Sequence, residues 1–275
     1  MSETSSNGSV YELNGPDDAP VVVLIHGLGL NRQIWESYVS RFAHRYRVLS
    51  YDLFGHGESA PPPGIPSLTL FSEQLLSLLD ELAIDQCSII GFSLGGMINR
   101  RFAMDHPERL RALAILNSPH ERVPEAQELV EQRARNSAAG GPGATLDATI
   151  ERWFTSEFRA SNPDFVARVR DWVLANDLEN YALCRQVLAF GVIELIRPEP
   201  PITHPTLIMT CENDSGSTPE MSQSIASEIK GSQVIIVPGL QHMGLTENPS
   251  FFITALVEFL EQLPDNWGHK NRGQV

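Results

Sequence analysis

Gly91-Phe-Ser93-Leu-Gly95 centres a serine in a Gly-x-Ser-x-Gly pattern, after the apolar run Cys87-Ser-Ile-Ile and before a stretch of helical spacing. Where a strand turns sharply into a helix at such a pattern, the serine hydroxyl is held out as an exposed nucleophile. Gly91 and Gly95 stand where a side chain would collide as the chain reverses. The plainer alternative is a glycine-rich turn with an idle serine. A hydroxyl reacts only if a base takes its proton, so a histidine late in the chain is required. His242, in Val237-Pro-Gly-Leu-Gln-His-Met-Gly on the loop leaving the last apolar run, is the expected base. The other histidines fit less well: His26 and His56 belong to early glycine-rich loops, His106 follows the elbow helix, His120 and His204 border a helical segment, and His44 and His269 are peripheral.

An imidazole base needs an acid that sets its tautomer and supports its cationic form, and in the order serine, acid, histidine that acid ends a strand between 93 and 242. Asp214 closes Thr206-Leu-Ile-Met-Thr-Cys-Glu-Asn-Asp and is expected there, with Glu212 as its near competitor. The end of the preceding strand holds Asn117, which supplies no charge. For an oxyanion, the backbone N–H groups of Leu94, at the start of the elbow helix, and of Leu28, in Ile25-His-Gly-Leu-Gly, are the expected donors, with their side chains as apolar floor. Asp52 and His56, in Asp52-Leu-Phe-Gly-His-Gly-Glu-Ser, are expected to hold their loop by hydrogen bonds rather than to react.

These loops need a scaffold that brings them to one edge. Short, nearly all-apolar runs at 21–25, 46–51, 87–90, 113–116, 206–210 and 233–237 read as strands covered on both faces, with an extended piece at 9–13. Helical spacing separates them at 34–42, 68–82, 96–104 and 219–228 and closes the chain at 251–263. The pattern is an α/β fold with a mostly parallel sheet flanked by helices. The alternation breaks once, where 118–203 shows only helical periodicity, at 125–135, 146–153, 162–174 and 178–190. This segment is expected to form a helical cap inserted into a core made of 1–117 and 204–275. Its aromatic residues Trp153, Phe154, Phe158, Trp172, Tyr181 and Phe190 are expected mostly to pack inside the cap, with Trp153 and Phe154 as the best candidates for substrate contact.

The chain has 275 residues, with twenty Lys and Arg against thirty-four Asp and Glu for a formal charge of −14. That balance disfavours nucleic acid and anionic membrane surfaces as partners and leaves a small molecule. An anionic substrate would need local cations: Arg152, Arg185 and Arg122 are candidates, each with a solvent-facing salt bridge as the more ordinary role. Three separated cysteines without a Cys-x-x-Cys pair indicate a reducing compartment and small core residues, and with a polar beginning and no long apolar stretch the expected location is the cytoplasm. No metal or nucleotide motif is present, so no cofactor is expected. Monomer and homodimer stay equally open.

With His26-Gly-Leu-Gly29, the Asp52 to Ser59 loop, the Ser93 elbow, the Asp214 turn and the His242 loop in place, the chain resembles the α/β-hydrolase superfamily over residues 20–117 and 204–263. The resemblance implies Ser93, Asp214 and His242 as a triad and the Leu28 and Leu94 N–H groups as the oxyanion hole. The cap sequences Glu151-Arg-Trp-Phe-Thr-Ser-Glu-Phe, Asn162-Pro-Asp-Phe-Val-Ala-Arg-Val-Arg and Asp177-Leu-Glu-Asn-Tyr-Ala-Leu-Cys are similar to those of 3-oxoadipate enol-lactonases, which implies a carboxylated enol lactone from aromatic catabolism as a model substrate.

The leading expectation is hydrolysis of a small ester or lactone through an acyl-enzyme on Ser93. A rival with the same triad and lid is cleavage of a carbon–carbon bond in a ring-fission diketone. A rival outside enzymes is a receptor that keeps the pocket for recognition; an intact triad counts against it.

Overall fold

The computed structural model describes residues 1–264; His269, expected to be peripheral, and the end of the core segment lie outside the described residues. In chain order the regular elements are β1 (Glu3–Thr4), β2 (Val10–Asn14), β3 (Val21–Ile25), α1 (Glu36–Phe42), β4 (Arg47–Tyr51), α2 (Leu68–Glu81), β5 (Cys87–Phe92), α3 (Leu94–Asp105) and β6 (Leu110–Leu116). Five helices follow without a strand among the described residues: α4 (Pro124–Gly140), α5 (Leu146–Trp153), α6 (Ser156–Ser161), α7 (Pro163–Leu174) and α8 (Leu178–Phe190). The alternation then resumes with β7 (Thr206–Cys211), α9 (Pro219–Glu228), β8 (Gln233–Val237), α10 (Gly244–Glu247) and α11 (Pro249–Glu261).

The eight strands form one sheet in the order β1-β2-β4-β3-β5-β6-β7-β8. The pairs β1–β2 and β2–β4 are antiparallel and the rest are parallel. Every residue of β5 and of β7 is buried, as expected for parallel strands with helices on both faces, where no position points to water and the apolar run is continuous. Strand order jumps from β4 back to β3 and then to β5. Crevices at the carboxyl ends of parallel strands near such a reversal are where loops of an open α/β sheet gather around a ligand, and the loops after β3, β5, β7 and β8 carry the residues singled out above.

Some boundaries differ from those read in the sequence, for local reasons. The helix expected at 34–42 is a 3₁₀ turn, Arg32–Trp35, whose Asn31 cap accepts from the Gln33 N–H, followed by α1. Helix α4 continues to Gly140 rather than 135, because the alanines of Ser137-Ala-Ala propagate a helix well, and it stops where Gly141 adopts φ +71° ahead of Pro142. Helix α6 was not anticipated: it is six residues long, started by the Thr155 side chain accepting from the Phe158 N–H. The buried residues of the inserted helices, including Leu146, Ile150, Val169 and Cys184, join the same apolar cluster as the sheet. Among the described residues no helix is long and apolar enough to cross a membrane.

Candidate active site

Ser93 sits between the last residue of β5 and the first of α3, at φ +56° and ψ −112°. This backbone conformation is strained for any residue with a side chain, and the surroundings enforce it. A Cβ at Gly91 would strike the carbonyl of Gly95, and one at Gly95 would strike the carbonyl of Ile25. The two glycines thus let strand, turn and neighbouring strand close on one another. The Ser93 N–H donates to the Leu116 carbonyl at 2.9 Å, which anchors the turn to β6.

His242 Nε2 lies 3.2 Å from Ser93 Oγ, and its Nδ1 lies 2.6 Å from Asp214 Oδ2. All three side chains are buried. The acid is held from several sides: Oδ1 accepts from the Gly216 and Ser217 N–H groups, at 2.8 and 3.0 Å, and Oδ2 also accepts from the Asn117 amide at 2.9 Å. Burial pulls the Asp214 carboxyl upward, but the charge of His242 and the hydrogen bonds from His242, Asn117 and Ser217 outweigh it and keep the group below the ordinary carboxylate range. An ionised Asp214 requires the Nδ1 proton on His242 and leaves the Nε2 lone pair facing the serine. Asn117, at φ +46°, therefore serves the acid instead of replacing it. Glu212 is exposed and accepts from the Gly239 N–H at 2.9 Å, away from His242.

The imidazole lies between two rings, with Phe92 at 4.9 Å and Trp153 at 6.0 Å between centroids. The helices between β6 and β7 are tied to the histidine loop: the Met243 N–H donates to the Trp153 carbonyl at 2.8 Å, and Thr155 donates through its N–H and hydroxyl to the Glu247 carboxylate, at 2.9 and 2.6 Å. None of these links was anticipated, because each joins residues about ninety positions apart with no pattern between them.

Asp52 and His56 stay apart from the chemistry. Asp52 accepts from the Arg32 and Glu58 N–H groups, at 2.7 and 2.9 Å, and pairs with the Arg32 guanidinium. His26 Nε2 accepts from the Leu53 N–H at 3.0 Å, and its Nδ1 meets the Gly27 carbonyl at 2.8 Å. Burial lowers His26 to about 4, and burial together with the neighbouring His26 lowers His56 to about 3, so both rings are neutral loop supports at neutral pH. His106 and His120 lie within 3.2 Å of Glu73 and Glu228, His204 is bonded to the Pro107 carbonyl, and His44 is exposed.

Above Ser93 and His242 lies a cavity of about 60 Å³, lined in part by Leu28, Phe92, Trp153 and Pro119. Four arginines line it as well: Arg122, Arg133, Arg152 and Arg185. None of them makes an ion pair among the described residues, which corrects the expectation of solvent-facing salt bridges. Arg185 is buried and donates to the Tyr181 hydroxyl at 3.2 Å, and Arg122 donates to the Leu188 and Ala189 carbonyls, both at 3.2 Å. Arg133 was missed in the sequence, since it reads as one more charge on a polar helix. Phe154, expected to touch substrate, is fully buried and stacks on Phe158 with centroids 5.4 Å apart; it belongs to an aromatic cluster with Phe165 and does not line the cavity. The Leu94 side chain likewise points into the core and not the cavity, whereas Leu28 does line it. Among the described residues no group of three His, Cys, Asp or Glu is placed to hold a metal ion.

A mostly parallel sheet with an elbow serine after a central strand, and an acid and a histidine following in that order, defines the class of α/β hydrolases. Residues 22–255 match the model of the alpha/beta hydrolase family, and the chain belongs to it. It is similar to the (E)-2-((N-methylformamido)methylene)succinate hydrolase of Acinetobacter baylyi, at 26% identity over 95% of this chain and 98% of that protein. A 3-oxoadipate enol-lactonase of the same organism is 28% identical over 88% of this chain and 89% of its own length. Among solved structures, the enol-lactonase of Burkholderia xenovorans LB400 superposes with a TM-score of 0.85 at 29% identity, covering 93% of this chain and 98% of that one. The enol-lactonase-like resemblance thus extends over the whole fold.

Proposed function

We propose that the protein is a serine hydrolase that opens a small carboxylated ester or lactone through an acyl-enzyme on Ser93, with residues 118–203 acting as a cap over a core of 1–117 and 204–264. The observation that carries this reading is the continuous Ser93–His242–Asp214 relay at a cavity whose lining also holds four arginines. The similarity to enol-lactonases and to a hydrolase named for a succinate supports an acyl compound bearing carboxylate.

In this reading His242 Nε2 takes the Ser93 proton as Oγ attacks the acyl carbon, and the imidazolium is steadied by ionised Asp214. The tetrahedral oxyanion is met by the N–H groups of Leu94, which as the first residue of α3 has no intrahelical acceptor, and of Leu28, on the loop where Gly27 packs against the Ser93 side chain. The carbon–oxygen bond then breaks, His242 returns the proton to the leaving oxygen, and water repeats the sequence to free the acid and restore the Ser93 hydroxyl. In a lactone the leaving oxygen stays tethered to the product. Trp153 covers the imidazole, and Arg152 and Arg185 hold the substrate's carboxylate.

The test is a burst experiment on a small aryl ester and an enol lactone. One equivalent of alcohol released quickly, before a slower steady rate, supports the acyl-enzyme. Full turnover by Ser93→Ala rules it out.

A further inference from the structure

Resting on the hydrolase reading above, we infer that the natural substrate is a small dianion: besides the acyl bond presented to Ser93 it carries two carboxylate-like groups, which the arginines of the inserted helices receive.

Carboxylates are plentiful in a chain with fourteen more acidic than basic residues, and several arginines outside the cavity pair with one: Arg32 with Asp52, Arg101 with Asp105, Arg109 with Asp80 and Arg170 with Asp147. The four arginines around the cavity do not, and no Asp or Glu lines that cavity. Asp214 is the acid whose charge reaches Arg152, but its two oxygens are already taken by His242, Asn117, Gly216 and Ser217.

Arg122 is set aside first, since its guanidinium is engaged by the Leu188 and Ala189 carbonyls and the Gln127 side chain and so braces α4 against α8. Three remain, one on each of three helices: Arg133 on α4, Arg152 on α5 and Arg185 on α8. Arg133 and Arg152 have no hydrogen-bond partner among the described residues, and a Cβ at Gly216 would stand 2.8 Å from Arg152 Nη1, which places that guanidinium over the turn after Asp214. Burial and then the repulsion of neighbouring arginines weaken the hold of Arg133 and Arg152 on their protons, to about 10 for Arg152, which leaves it charged at neutral pH.

Three like charges in a half-dry chamber are unfavourable until anions fill it. A single carboxylate has lone pairs enough for all three guanidinium groups but only one negative charge, so a monoanion leaves two positive charges unanswered in the chamber, while two anionic groups leave one. The cations are carried by α4, α5 and α8, and the serine, histidine and oxyanion donors by sheet loops, with Arg152 reaching over the turn after Asp214.

The test is isothermal titration of Ser93→Ala with unbranched chains of four to six carbons, as monocarboxylate, dicarboxylate and dimethyl ester. The dicarboxylate is expected to bind at least about tenfold more tightly than the monocarboxylate of equal length, with an advantage that shrinks as salt is raised and is largely lost in Arg133→Gln and in Arg152→Gln. Equal affinity of mono- and dicarboxylate overturns the inference, and that comparison does not depend on whether the arginine variants fold. Its failure is separable from that of the parent reading. Wild-type turnover of a neutral aryl ester, lost in Ser93→Ala, with no dicarboxylate preference would leave the hydrolase and remove the dianion. A clear dicarboxylate preference with no ester or lactone turned over would remove the hydrolase and leave the anion site.

Discussion

The N–H of Met243 donates to the carbonyl of Trp153 at 2.8 Å, so the residue beside the candidate base is pinned to the end of the helix whose indole covers that base. The position of His242 is therefore set from two sides, by Asp214 behind it and by the inserted helices above it. Glu247, one turn further on, strengthens the link by accepting both the N–H and the hydroxyl of Thr155.

Breaking that link is expected to affect stability and turnover together. Glu247→Ala leaves two Thr155 donors without their charged acceptor, at a cost of about 1–3 kcal/mol. Urea unfolding measures the loss. In the same variant kcat is expected to fall several-fold, and an unchanged kcat at reduced stability would show that the link does not position the histidine.

Asp214→Asn preserves shape but removes the charge that selects the Nδ1 tautomer, so kcat on an aryl ester is expected to drop about 10⁴-fold. Retention of activity within tenfold of wild type would contradict the relay.

At Ser93 the ordinary ranking of small residues is expected to reverse. Alanine keeps the φ +56° strain and glycine does not, so Ser93→Gly is expected to be more stable than Ser93→Ala by about 1–2 kcal/mol, out of the 1–3 kcal/mol that such conformations cost. Paired denaturant titrations decide the order, with both variants inactive.

Stability is expected to fall on mild acidification. The His26 ring, lowered to about 4, and the His56 ring, lowered to about 3, stay neutral in the folded chain where the unfolded chain takes up protons at about 6.5. Below that pH the unfolded state binds more protons, so each ring costs about 1.4 kcal/mol per pH unit until its folded value is reached. Thermal unfolding between pH 7 and pH 4 is expected to show the decline, and His26→Asn is expected to flatten it.

Cys87, Cys184 and Cys211 are buried, and burial pushes each thiol up to about 12. Native protein is expected to react with a thiol reagent very slowly and to release three equivalents on denaturation; rapid modification of the folded chain would contradict their placement in the core.

The chain by itself determined whatever rests on local pattern. Val21–Ile25 and Gln233–Val237 were legible as strands to the residue because short β-branched runs favour extended chain, though β8, expected to be covered on both faces, is an edge strand and only Val237 of it is buried. Ser93, Asp214 and His242, singled out by glycine spacing and strand ends, come within hydrogen-bonding distance of one another in the fold. Only the tertiary structure decided which side chains the cavity sees. It turned Phe154 inward onto Phe158, gave Asn117 to the acid, and brought Arg133, Arg152 and Arg185 from three helices to one cavity that no Asp or Glu lines. The physical reason is that helical periodicity states which face of a helix is apolar but not which helices meet. A charge on a polar face reads as solvated until the packing of α4, α5 and α8 encloses it.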